Sequence, residues 1–159
     1  MSNRFTAQQL KSDLIPHWGV VAVMLVILAG YIIVCQYQYK AGELPAVLPE
    51  SQRMWIRTLC YVGAIVMFPL TNLIRHIQLR LNQTMPGNKP ANKRYLLTIV
   101  VSMLLIHSVG ILGVVMFFLG DDFNTVYILL GMSALGAFLY RPKVDEYVSI
   151  IEALENRNP

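Results

Sequence analysis

Charge is what this sequence has least of. Asp, Glu, Lys and Arg make up only 14% of its 159 residues, against about 25% in ordinary soluble domains, while 55% are hydrophobic. A water-soluble fold has no means of hiding that much apolar surface. Acidic residues are scarcer than basic ones, 9 against 13, and the basic excess is concentrated in one connection. That pattern fits an anionic lipid surface, and no RNA- or DNA-binding module accompanies it, so a nucleic-acid partner is not expected. Cysteine is almost missing. Cys35 and Cys60 are far apart and both sit in apolar runs, which excludes a disulfide framework and a CxxC redox motif. The long apolar runs contain no Asp, Glu or Lys at all. No cofactor motif, metal cluster or catalytic constellation emerges, so the sequence predicts neither an enzyme nor a bound cofactor.

Uninterrupted apolar sequence is abundant instead. A helix needs about 20 apolar residues to cross the roughly 30 Å hydrocarbon layer, because irregular backbone in lipid leaves its polar groups unpaired. Four segments qualify, at residues 18–39, 55–74, 95–120 and 123–140. Arg4 and Lys11 precede the first, as in a signal peptide, but its uncharged run exceeds the roughly 7 to 15 residues of a signal core and reads as a retained anchor. The second carries Arg57 one turn inside its start, where a long side chain can snorkel to the headgroups. The fourth follows a tight Gly120-Asp121-Asp122 turn and forms a hairpin with the third. The expected fold is therefore an all-α integral membrane protein, one membrane domain over residues 1–159, with four transmembrane helices in an up-down bundle.

Orientation follows from the cations in short connections, since cytoplasmic loops retain them. The N-terminal segment holds Arg4 and Lys11, and the tail, 141–159, holds Arg141, Lys143 and Arg157. The middle connection, 75–94, holds Arg75, Arg80, Lys89, Lys93 and Arg94 with no acid. The opposite side keeps Lys40, Arg53 and, at the helix edge, Arg57. Both termini are thus expected in the cytoplasm, with the five middle cations on anionic headgroups. The size, short loops and charge bias suit a bacterial inner membrane. Within the connection, RHIQLRLNQ can prolong the second helix before MPGNKPANK breaks it. After Pro142, Val144, Tyr147, Val148, Ile151 and Leu154 fall on one helical side, with Asp145, Glu146, Glu152 and Glu155 on the other. This spacing predicts a short amphipathic helix for a membrane surface or a partner, or a solvated tail that folds only in context.

His107, near the centre of the third span, is the intramembrane polar candidate, since an ionisable group in lipid is costly. A b-type haem would want a second axial ligand, and only a methionine such as Met132 is on offer. A structural role fits better. Pro69 frees the carbonyl of Ile65, and antiparallel counting places both Ile65 and His107 near the midplane, so His107 is expected to donate to it. Cys35 and Cys60 fall at similar depth on the first two spans, where they could approach or serve simply as small apolar residues. Gly110 beside His107, and Gly131, Ser133, Gly136 and Ala137 in the fourth span, are the expected helix-packing positions. The partner for that face is an internal helix, another membrane protein or a second copy of the chain.

Two functional readings follow. The first is an accessory, assembly or structural subunit without catalysis, acting through helix and lipid contacts. The second is a small oligomeric transporter or channel for a neutral or apolar solute, lined by Thr98, Ser102, His107 and Ser108.

Overall fold

The computed structural model describes residues 7–42, 48–85 and 90–156, and every regular element among them is a helix. In order these are α1 (Ala7–Lys40), α2 (Glu50–Thr84), α3 (Ala91–Phe118), α4 (Phe123–Leu139) and α5 (Val144–Glu155). α1, α2 and α3 are each long and apolar enough to cross a membrane, and α4 with α5, bent by 45° at the break between them, passes the same test as a pair.

The helices outrun the apolar segments that define them in the sequence. α1 starts well before residue 18 and continues through Pro16, because Leu14 and His17 are packed against α3 and α5 and hold the first turns in place. α2 follows RHIQLRLNQ to Thr84, with Met85 as its extended cap. Stop signals set the remaining ends. Pro49 and Pro90 precede α2 and α3. α3 closes on Gly120 in the left-handed region (φ 83°), where the Asp121 and Gly120 amides reach the carbonyls of Met116 and Phe117 at 3.0 Å each. This is the Schellman closure that favours glycine. Asp122 then caps α4 by accepting from the Thr125 amide at 3.2 Å.

Packing is organised around α3. It lies against α1, α2, α4 and α5, whereas the backbones of α1 and α2 do not approach each other. α3 and α4 thus form the short diagonal of a rhombus, with α1 and α2 at its far corners. The reason lies in seam width. α1 buries Leu14, Val21, Leu28 and Cys35 at seven-residue spacing, with His17 beside Leu14, and so touches the centre through a narrow stripe. α3 buries residues on most of its circumference, and Tyr95, Ile99, Met103, Ile106, Val109 and Met116 form a fully buried column along it. Much of α1 and α2, from Val23 to Ile33 and from Leu59 to Leu73, remains bare and apolar.

Glycines allow the closest approach. A methyl group added to Gly136 on α4 would sit 2.5 Å from Ile106 Cγ2, and one added to Gly113 on α3 would meet Leu129 Cβ at 3.1 Å and the Val126 carbonyl oxygen at 3.3 Å. Gly110 meets Leu28 of α1 in the same way, at 2.6 Å. Ser133 lies in this seam and donates to the Ile106 carbonyl at 3.0 Å, and Ala137 is buried beside it. Gly131 faces outward, with open space where a side chain would go.

Candidate functional site

The charged side chains of the bundle gather at its two ends, and α2 reaches both. Arg57 and Arg75 are eighteen residues apart, five full turns at 3.6 residues per turn, so they share a face and stand about 27 Å apart along the axis. That face looks onto the α3–α4 hairpin.

At the end holding the α5 helix, Arg75 is 4% exposed and joins four elements. Its Nη1 donates to the Tyr140 carbonyl at 2.8 Å and lies 3.4 Å from Ser102 Oγ on α3. Nη2 donates to the Arg141 carbonyl at 3.2 Å and to Glu146 Oε2 at 2.6 Å, with Nε 3.3 Å from Oε1. The guanidinium therefore satisfies orphan carbonyls at the C-terminus of α4 and grips α5 through a forked carboxylate pair. Tyr95, fully buried, donates to the same Oε2 at 2.9 Å and accepts from the Lys143 amide at 2.8 Å. Arg94 repeats the pattern on α2, donating to the Asn82 and Met85 carbonyls at 3.2 and 2.9 Å.

The loop count assigns Arg75 and Arg94 to lipid headgroups, but both turn inward to cap helix ends, because an arginine beside unpaired C-terminal carbonyls is held there by their negative dipole. Arg80 and Lys93 are exposed, and Lys89 lies outside the described residues. A signal for the clamp was present in the sequence, since a five-turn spacing of arginines marks one face of a helix.

Beside the clamp, His17 lies 3.2 Å from the Asn92 carbonyl oxygen and packs on Tyr95 and Tyr147, with ring centres 5.1 and 6.2 Å away. Tyr147 donates to Asp13 at 3.1 Å. Burial and the adjacent Asp13 carboxylate push its pKa up to about 12, so it remains a donor throughout the neutral range. Tyr147 and Ile150 thereby seat the amphipathic helix on its own bundle. Its apolar stripe covers α3 and the start of α1, and not only an outside surface.

At the opposite end, Arg57 pairs with both oxygens of Asp121 in the α3–α4 turn, and Arg53 donates to the Gly120 carbonyl at 2.5 Å. Burial works to raise the Asp121 pKa, but the hydrogen bonds from Arg57 and Thr125 outweigh it and leave the carboxyl below its ordinary value. Tyr61 adds a contact to Thr125 at 3.4 Å.

Between the ends, His107 is 7% exposed and its Nε2 lies 3.1 Å from the hydroxyl of Tyr31 on α1. The expected bond to Ile65 is corrected: Nε2 is taken by Tyr31, Nδ1 is buried with no partner among the described residues, and Ile65 is 63% exposed. Pro69 is exposed too. α2 is tied near its proline by Tyr140, which donates to the Phe68 carbonyl at 2.7 Å. Cys35 and Cys60 belong to separate core clusters and are both free thiols.

These features define a helical bundle with three to four helices fit to cross a membrane and arginine clamps at both ends. No protein-family model matches the chain, and neither a curated protein nor a solved structure matches it.

Proposed function

We propose that the chain is a single-domain integral membrane protein crossing a bacterial inner membrane four times, with both termini in the cytoplasm, and that it acts by contact as an accessory, assembly or structural subunit. Several features support the four-span topology. α4 is about 26 Å long, and the arginines of α2 bracket a comparable length, close to the roughly 30 Å hydrocarbon thickness. Asp145, Glu146, Glu152 and Glu155 keep α5 out of the lipid. The exposed cations Lys11, Arg80, Lys93, Arg141 and Lys143 lie at the α5 end, where the positive-inside rule puts the cytoplasm.

The observation that carries the contact role is the buried column along α3. Tyr95, Ile99, Met103, Ile106 and Met116 occupy the bundle axis from one end to the other, which leaves the outside of the molecule as its working surface. Bare apolar stripes on α1, α2 and α4, the last including Gly131, Leu135 and Phe138, are then available to lipid, a membrane partner or a second copy. Gentle solubilisation of the tagged chain from its own membrane, followed by size-exclusion chromatography with mass analysis, tests the reading. A partner at fixed stoichiometry is expected. Elution as a lone homo-oligomer that conducts saturable solute flux in liposomes would establish the transporter instead.

A further inference from the structure

At the α3–α4 turn, the last turn of α1, the first turn of α2 and the turn itself enclose a pocket of about 300 Å³. Tyr39, Phe117 and Phe123 form an aromatic wall, with Phe123 5.3 Å from both of the others, and Arg53, Asp121 and Asp122 supply the polar part. The charges are not equally available. Asp121 is committed to Arg57. Arg53 uses Nη1 on the Gly120 carbonyl, and its Nε is buried, which leaves Nη2 as its open donor edge. Asp122 uses Oδ1 to cap α4, which leaves Oδ2 on an exposed side chain. Among the described residues, one cationic donor and one anionic acceptor of the pocket lining are thus left without a partner.

The pocket's level matters as much as its charge. Tyr37, Tyr39 and Trp55 are 73%, 56% and 72% exposed at the same end of the helices, the position of an interfacial aromatic belt. A group with one negative and one positive charge, joined to an apolar body and delivered at that depth, is a zwitterionic phospholipid headgroup. We infer that this pocket binds one such headgroup, its phosphate on Arg53 Nη2 and its ammonium at Asp122 beside the Tyr39 and Phe123 rings. The inference rests on the membrane-spanning reading above. A net anionic lipid offers no cation to Asp122 and is selected against.

Native mass spectrometry of the full chain released from nanodiscs of equal phosphatidylethanolamine, phosphatidylcholine and phosphatidylglycerol tests the site. One retained zwitterionic lipid per chain is expected, in clear excess over phosphatidylglycerol. Arg53→Gln and Asp122→Asn each remove one charge, and asparagine caps a helix as well as aspartate does. Each is expected to lower that retention about tenfold, the scale of one charge-assisted hydrogen bond, while Arg53→Lys restores part of it. Entry into the disc is read separately from its size, so a chain that enters and retains all three lipids equally, or whose two variants match the parent, overturns the site and leaves the spanning topology intact. Equal, variant-sensitive retention of free phosphoethanolamine in lipid-free detergent would assign the pocket to a soluble ligand and overturn the lipid proposal.

Discussion

At the scale of single residues, Arg75 carries more than any other side chain, because removing it would strand Glu146 and two helix-end carbonyls at once. Breaking a buried ion pair from one side costs about 3 kcal/mol or more. Arg75→Met is expected to lower stability by that amount in detergent unfolding, and Arg75→Lys to recover only part, since an ammonium cannot span the fork. The sequence showed Arg75 as one of several loop cations and gave no hint of its carbonyl partners, which lie beyond a chain separation of 60 residues. His107 was legible as a buried polar group, but not its partner Tyr31, because only the rhombic packing brings α1 onto that face of α3. Tyr31→Phe and His107→Leu, measured singly and together, are expected to show a coupling of roughly 0.6 to 1.7 kcal/mol, the range of hydrogen bonds between membrane helices. Asp121 adds a pH dependence. Its folded pKa is depressed below the ordinary 3.8, so its contribution is fully present above that value and disappears as pH falls through the lower, folded one. Asp121→Asn should flatten this acid limb of the stability curve.

Between elements, glycine position separates the α3–α4 seam from the outer faces. Gly136→Ala is expected to destabilise by about 1 to 3 kcal/mol, because the β-branched Ile106 has little room to yield. Gly113→Ala, whose nearest atoms at 3.1 and 3.3 Å need to give by only a few tenths of an ångström, should cost less than Gly136→Ala. Gly131→Ala, with nothing near it, should be neutral or stabilise by up to about 1 kcal/mol through helix propensity. Unfolding of the three variants in the same detergent checks the order. Small-residue spacing alone does not distinguish these glycines, since Gly131 and Gly136 lie on one helix and differ only in which way they face. The amphipathic tail was readable from its 3.6-residue period. That it closes over its own bundle was not, since the period does not say what covers the stripe; Tyr147 of that stripe is buried, and so is Ile150, which the expected stripe did not include.

For the molecule as a whole, the long helices follow directly from apolar run length, whereas their arrangement depends on seam width, which four similar apolar segments do not display. α3 is the packed axis of a closed bundle, and a conducting molecule would need water along that axis. Single cysteines at Ser102 and Ser133, both 1% exposed, in a background with Cys35 and Cys60 replaced by alanine, place a reporter on it. Labelling with a small, charged, water-soluble thiol reagent in native membrane is the most direct test. The closed bundle predicts no labelling of either reporter while a cysteine at the exposed Arg141 reacts readily from its own side of the membrane; labelling of both interior cysteines at a rate comparable to that control would contradict it.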